Sequence, residues 1–445
     1  MVRLSPEIAD AQLAALRSQF ERTGAPVQVS FREILPTPFI RERTTHDLHP
    51  YPARLLVNIP AFFLSTSLSR RSDVVLDPFC GSGTALLEAI LAGRNAAGAD
   101  ANPLARLLTR AKLTPISSRS LQSARRRFFR RLTGVPRRNY PKVVNLEYWF
   151  YPHVREGLLR LLENIDRMRD AALKDFFYVA FSACIKEVSL ADPRLSVPVR
   201  LKENQYPIKH WLHDRTNKRL EHLNSIDVLS VFAKRLDDNI RRAAQLTSQT
   251  DLGHHLGLAF DARNLGHLQP ESVDFAITSP PYLGAQKYIR ASSLSLTWLE
   301  LCDARGLRAL EDNNIGREHH LKLSYAKLLH TDLPEADALL NNIREINPLR
   351  AHIAAAYLCE MRQAIREIAR VLKPNRYFVL VAGASRVCGM LFPTPQFLTC
   401  IAAAEGLVLR LHLVDPIRSR ALMTKRHHTA GRIDTESILL LRKED

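Results

Sequence analysis

Val74-Val75-Leu76-Asp77-Pro78-Phe79-Cys80-Gly81-Ser82-Gly83-Thr84 opens as a short apolar run, ends on an acid and enters a glycine turn. The apolar Ala85-Leu86-Leu87-Glu88-Ala89-Ile90-Leu91 that follows makes the reading strand, glycine turn, helix. Glycines let the backbone approach a bound molecule closely, and the turn delivers the chain to a helix N-terminus. The loop is neither G-x-G-x-x-G nor G-x-x-x-x-G-K-[ST], and no lysine follows Gly83 to meet a triphosphate. Further on, Ala96-Ala97-Gly98-Ala99-Asp100 reads as a second strand closing on a carboxylate. An acid there can accept hydrogen bonds from both ribose hydroxyls of a nucleoside ligand.

Working outward, the apolar run Val273-Asp274-Phe275-Ala276-Ile277-Thr278, with a strand expected at Phe275–Thr278, has an unusual ending and runs into Ser279-Pro280-Pro281-Tyr282. Two prolines with fixed φ and no N–H hold the backbone rigid beyond the strand. Their neighbouring carbonyls can accept from a flat NH₂ group, and Tyr282 offers a ring on which a base can stack. Further strands are expected at Leu256–Phe260, Tyr377–Ala382, Val408–Val414 and Ser437–Arg442. Seven strands, the first few alternating with helices, predict an α/β, doubly wound, Rossmann-like sheet. Ligands in such sheets bind outside the carboxyl ends of the strands, so Asp77, Asp100, Asp261 and Ser279 should gather around one crevice.

Two stretches exceed what a crossover needs, residues 119–250 and 284–350, and both read as largely helical insertions near the active-site face. The final strand ends within a few residues of the C-terminus, so recognition of a partner is expected from these insertions. The chain carries 63 Lys+Arg against 45 Asp+Glu, a net charge of +18. A surplus this size points to a polyanion, and nucleic acid is the commonest. Residues 119–249 hold 26 Lys+Arg and 14 Asp+Glu, two-thirds of the surplus. Its densest part is Arg125-Arg126-Arg127-Phe128-Phe129-Arg130-Arg131, read as phosphate-contacting. Six cysteines without a C-x-x-C pair argue against a zinc site or a disulfide framework. His46 and His49, at i, i+3, read as structural or cofactor-contacting residues in preference to a metal pair, so no metal is expected. No apolar run approaches a membrane span and no signal-peptide layout opens the chain, which predicts a cytoplasmic protein.

Asp-Pro-Phe-x-Gly-Ser-Gly-Thr with a later Thr-Ser-Pro-Pro-Tyr resembles the DNA amino-methyltransferases, which use S-adenosylmethionine to make N4-methylcytosine or N6-methyladenine. His46-Asp47-Leu48-His49-Pro50-Tyr51-Pro52-Ala53-Arg54 is similar to the segment that, in this family, touches the methionine end of the cofactor. Asp261 falls where the family places the group reading the adenine amine. Asp415-Pro416-Ile417-Arg418-Ser419-Arg420 and Gly431-Arg432-Ile433-Asp434-Thr435-Glu436 resemble one branch of these enzymes. The resemblance covers roughly residues 40–115 and 255–445 and implies a seven-stranded methyltransferase sheet closed by an antiparallel hairpin. It divides the chain into an N-terminal helical segment (1–40), a cofactor-binding half (41–118) and the basic insertion as candidate DNA-recognition region (119–250). A catalytic half (251–283), a second insertion for target recognition (284–350) and the C-terminal part of the sheet (351–445) complete it.

The resemblance implies S-adenosylmethionine held by His49, Tyr51, Asp77, Pro78, Phe79, Gly81, Gly83, Thr84, Asp100, Ala101, Asp261 and Ala262. Ser279, Pro280, Pro281 and Tyr282 are the expected catalytic group, with Tyr282 stacking on a flipped-out base of double-stranded DNA. Arg125, Arg126, Arg127, Arg130, Arg131, Arg418, Arg420 and Arg432 are the expected phosphate contacts. Within the family, a serine before Pro-Pro-Tyr leans towards cytosine N4, with adenine N6 the alternative. Cytosine C5 chemistry needs a cysteine nucleophile, usually in Pro-Cys, and the chain has no such dipeptide. Two readings compete: an RNA or tRNA guanine-N2 methyltransferase, and a non-catalytic nucleic-acid binder. The first generally reads Asp-Pro-Pro-Tyr-Gly, and the intact motifs argue against the second. A cognate restriction endonuclease acting separately is a possible partner.

Overall fold

The structure, a computed structural model, describes residues 4–35, 44–52, 54–132, 134, 136–284, 287–327, 329–417 and 434–445. Its strands are β1 (Val27–Gln28), β2 (Val74–Asp77), β3 (Asn95–Ala99), β4 (His255–Ala259), β5 (Val273–Thr278), β6 (Leu372–Ala382), β7 (Ser385–Val387), β8 (Met390–Phe392), β9 (Leu407–Pro416) and β10 (Thr435–Lys443). Eight of them form one sheet in the order β1-β9-β10-β6-β5-β2-β3-β4, with β7 and β8 a separate hairpin. Only β10 runs antiparallel, to both β6 and β9. All seven expected strands are in this sheet. The eighth, β1, lies parallel to β9 at the edge; two residues with one buried side chain are too short to show periodicity.

Alternation builds both faces. Along β10, Ile438 and Leu440 join the core formed with the helices Asn58–Phe63 and Thr84–Leu91, whereas Leu439 and Leu441 join the core of the helices Pro334–Ile346, Pro348–Val371 and Thr394–Ala404. Burial of β5 is complete from Val273 to Thr278, as expected of a central parallel strand covered on both sides. Close approach is demanded at Gly98, where a Cβ would lie 2.7 Å from Leu86 Cδ1. A larger residue there would push the helix Thr84–Leu91 off the sheet.

The chain steps outward from β2 to β3 to β4, then returns to the other side of β2 as β5. That reversal is the topological switch point, where a crevice opens between diverging connections. At its floor, Thr278 Oγ1 donates to Asp77 Oδ1 at 2.5 Å, joining the ends of β5 and β2. Asp77 also receives the Phe79 N–H at 3.2 Å and is 3% exposed. Burial pushes its carboxyl up to about 7, against the opposing effect of the Thr278 bond.

Between β3 and β4 the chain leaves the sheet and builds a third core. The helices Ser118–Arg131, Pro152–Asp166, Ala171–Val188 and Val228–Thr247 enclose Phe128, Phe177 and Phe232, with Phe128 centred 5.2 Å and 5.5 Å from the other two. The helix Tyr288–Trp298, beyond the Pro-Pro-Tyr loop, packs into the same core. Fully buried Trp298 stands nearly perpendicular to Phe150 at 5.7 Å and to Phe181 at 6.2 Å. The first part of the second long stretch thus completes the first, while the helix Pro334–Ile346 covers the sheet.

Two outcomes follow from this packing. Trp298→Ala should lower stability by about 3–5 kcal/mol, read as a fall in the urea midpoint, while Leu301→Ala, half-buried, should cost less. Asp77 binds its proton more tightly folded than unfolded, because its ordinary value of 3.8 is raised to about 7. The stability it contributes is therefore present below pH 3.8 and lost as the pH rises through 7. The stability difference between wild type and Asp77→Asn should shift against the wild type across that window; a flat difference would contradict the burial argument.

Candidate functional site

A cleft enclosing about 600 Å³ opens at the carboxyl ends of β2, β3, β4 and β5. Tyr51, Pro78, Phe79, Gly81, Asp100, Ala101, Asp261, Ala262, Ser279 and Pro281 line it, together with Tyr288, Asn313, Asn314 and Ile315. Ten of the sixteen residues expected for cofactor and chemistry therefore share one wall.

The glycine turn wraps around Asp100. Its two carboxylate oxygens accept the Gly81 and Asn102 N–H groups, each at 2.8 Å. Each oxygen keeps a further acceptor site, since a carboxylate offers about four in all. Burial raises the Asp100 pKa, and the two backbone bonds oppose that shift. Gly81 has φ +51° and Gly83 φ +77°. A Cβ on Gly83 would lie 2.9 Å from Thr109 Oγ1 and Cγ2, so this turn excludes a side chain. Gly83 and Thr84 shape the turn from behind and do not face the cleft, and buried Cys80 packs beside Thr109 with its thiol pKa raised by burial.

On the opposite side, Asp261 is held by the guanidinium of Arg263 through bonds of 2.8–3.0 Å. Arg263 Nη2 also donates to the Asn313 carbonyl at 2.9 Å, which ties the second long stretch to this wall. Tyr288, Asn313, Asn314 and Ile315 escaped the sequence reading. Tyr288 opens the helix Tyr288–Trp298 and Asn313 closes the helix Ala304–Asn313, and no spacing or residue type there signals a ligand.

Other expected residues lie elsewhere. Asp77 and Pro280 are buried behind the lining. Tyr282 donates its hydroxyl to Glu436 Oε1 on β10 at 2.8 Å, and its ring is not part of the cleft wall. Burial raises the pKa of both the Tyr282 phenol and the Glu436 carboxyl. His49 faces a neighbouring cavity and bonds Ser182 Oγ through Nε2 at 2.9 Å. His46 Nε2 lies 2.8 Å from Glu88 Oε1, so the two histidines point to different partners.

The arginine run forms the polar face of the helix Ser118–Arg131, whose Leu121, Ala124 and Phe128 are buried. Arg126, Arg127, Arg130 and Arg131 are exposed. Arg125 differs, because it is half-buried, paired with Asp237 at 2.5 Å and set over the Phe129 ring. Arg418, Arg420, Arg432 and the neighbouring His427-His428 lie outside the described residues. Among the described residues, no helix is long and apolar enough to cross a membrane.

Residues 12–107 match the family model described as DNA methylase, of the N6 and N4 class. The chain is 25% identical to the Type II methyltransferase M.MvaI of Kocuria varians over 385 residues, covering 79% of each. It is 35% identical to the Type II methyltransferase M.MjaII of Methanocaldococcus jannaschii over 75 residues, 16% of this chain and 14% of that one. Solved structures superpose loosely. The rRNA methyltransferase aviRa of Streptomyces viridochromogenes has 11% identity and a TM-score of 0.33, with 93% of this chain and 97% of that chain covered. With the glycine turn and Ser-Pro-Pro-Tyr loop brought together at the sheet's switch point, the chain is similar to the DNA methylases of the N6 and N4 class and, over 79% of its length, to a Type II methyltransferase.

Proposed function

We propose that this enzyme transfers the methyl group to the exocyclic N4 of cytosine, flipped out of double-stranded DNA. The observation that carries the reading is that Ser279 and Pro281 share one cleft with Gly81, Asp100 and Asp261. Nucleophile and methyl donor can therefore meet without rearrangement of the sheet. The donor set fits a nucleoside cofactor. Asp100 has acceptor capacity left for ribose hydroxyls, and Asp261, which already accepts from the Arg263 backbone N–H, Nε and Nη2, lines the same cleft. A Cβ added at Gly81 would rest in ordinary contact with Tyr51 Cε1 at 3.6 Å, so it is the positive φ of +51° that favours glycine there.

Bound S-adenosylmethionine supplies an electrophilic methyl on sulfur. An exocyclic amine is a poor nucleophile because its lone pair is delocalised into the ring. Ser279 Oγ, which lines the cleft, accepts a hydrogen bond from the amine, favours a tetrahedral nitrogen and frees that lone pair; as the N–C bond forms, the sulfur leaves with the S–C electron pair and the amine gives up one proton to solvent. Positioning and exclusion of water carry most of the rate, with Pro280 and Pro281 holding the acceptor still. Tyr282 is assigned to stack on the base, its hydroxyl anchored on Glu436. Thr278 and buried Asp77 act as positioning residues, fixing where Ser279 emerges. Ser279 favours cytosine over adenine by resemblance to its family. The exposed Arg126, Arg127, Arg130 and Arg131 contact phosphate. The similarity to a Type II methyltransferase supports a modification role beside a separate endonuclease.

Transfer from radiolabelled S-adenosylmethionine to unmethylated genomic DNA, followed by nucleoside mass spectrometry, should yield N4-methylcytosine. N6-methyladenine would overturn the use of Ser279, and label in tRNA alone would overturn the substrate. Asp100→Ala should weaken cofactor binding by roughly tenfold or more, measured by calorimetry. Tyr282→Phe, which keeps the ring, should retain most turnover; Tyr282→Ala should lose it with cofactor affinity unchanged. Equal loss in both variants would give the hydroxyl–Glu436 contact, not the ring, the decisive part. Charge reversal at Arg126, Arg127, Arg130 and Arg131 should weaken DNA binding and flatten its salt dependence. An unchanged salt slope would place that face off the DNA.

A further inference from the structure

A second, open cavity lies beside the cofactor cleft and shares Tyr51 with it. Between the two stands a hydrogen-bonded partition. Asn102 Nδ2 donates to Tyr51 Oη and to Ser292 Oγ, both at 3.2 Å. The cavity wall comes from three separate parts of the chain: His49 and its neighbours, the basic insertion with Ser182, Lys186 and Ser196, and the helix Tyr288–Trp298 with Ser292 and Ser295. No acidic side chain lines it.

Its chemistry is one-sided. Four serine hydroxyls and the Lys186 ammonium face a space that offers no carboxylate. Lys186 Nζ spends one proton on the Leu195 carbonyl at 2.7 Å, and an ammonium has two more. The His49 ring, 8% exposed, bonds Ser182 through Nε2, and its buried Nδ1 has no hydrogen-bond partner among the described residues. Burial, then the cations Lys112, Arg54, Arg235 and Lys186, push the His49 pKa down to about 3. The imidazole is therefore neutral and sits in a positive field. An anion would select the tautomer in which Ser182 donates to Nε2 and Nδ1 presents its proton.

We infer that this cavity is an anion subsite that takes a backbone phosphate of the DNA next to the extruded nucleotide, bound by Lys186, Ser182, Ser295 and His49 Nδ1. The inference rests on the DNA-methylating reading above. A carboxylate on the cofactor is the other available anion, but from the main cleft it would have to cross the Tyr51–Asn102–Ser292 partition. Residues of both long stretches, Ser182, Lys186 and Ser196 of the first and Ser292 and Ser295 of the second, line the cavity, and these are the stretches assigned to the DNA. His49 thus leaves the cofactor and joins the DNA-binding surface.

The test uses the full chain and a duplex whose methylated base has been mapped by the transfer assay. Neutral methylphosphonates replace, one at a time, the phosphates flanking that base. At one position the wild type should lose affinity by about tenfold, as for one charge-assisted contact. The slope of log K against log salt should fall by about 0.9. Lys186→Met should show the same loss on the unmodified duplex and no further loss on the modified one, with cofactor affinity unchanged. Ser295→Ala, which removes one hydroxyl, should show a smaller loss with the same lack of additivity. Additive losses at every position would overturn the subsite. So would weaker S-adenosylmethionine binding in Lys186→Met with additive methylphosphonate effects, which would give the cavity to the cofactor's carboxylate. Failure of methyl transfer by the wild type would instead sink the functional reading, and is seen before any variant is made.

Discussion

Everything at the site hangs from the hydrogen bond between Thr278 and Asp77. It joins two parallel strands that neighbour each other in space but lie some two hundred residues apart in sequence. One strand delivers the glycine turn and the other the Ser-Pro-Pro-Tyr loop. Because Asp77 is buried, the bond is made where water cannot compete, and its loss would leave a carboxyl group with one weaker partner. A donor and an acceptor of a methyl group must be aligned to fractions of an ångström. Both are therefore built outward from a point that cannot drift.

Much of this arrangement was legible in the residues. Each strand of the sheet's centre ends on a side chain that announces itself: Asp77, Asp100, Asp261 or Ser279. The doubly wound order then makes those ends converge, so local pattern and topology together specify most of the cleft. The remainder was hidden for physical reasons. Asn313, Asn314 and Ile315 reach the cleft because Arg263 captures the Asn313 carbonyl, a tertiary contact with no periodicity to betray it. Tyr282 read as a free stacking ring because nothing near it in sequence foretells Glu436, which arrives from the far end of the chain. Arg125 read like its neighbours, yet helical geometry turns it towards Asp237.

The basic region is more than charge on a surface. Its helices enclose a core as apolar as that of the sheet, and the arginines occupy only the outward stripe of one helix. The same helices supply Ser182 and Lys186 to a cavity touching Tyr51, so the region that carries the positive surplus is physically continuous with the cofactor's wall. A shift in one is transmitted to the other through packed side chains, not through a tether.

Trp298 gives this continuity an evolutionary meaning. Its ring belongs to the stretch after the Pro-Pro-Tyr loop but is seated between Phe150 and Phe181 of the earlier one. Recognition modules that fold on their own can be exchanged between relatives as cassettes, each bringing a new target sequence. Here a graft of the first stretch alone would strand the indole without its socket, and a graft of the second would leave the socket empty. Neither stretch can therefore be exchanged without the other if the indole is to keep its socket.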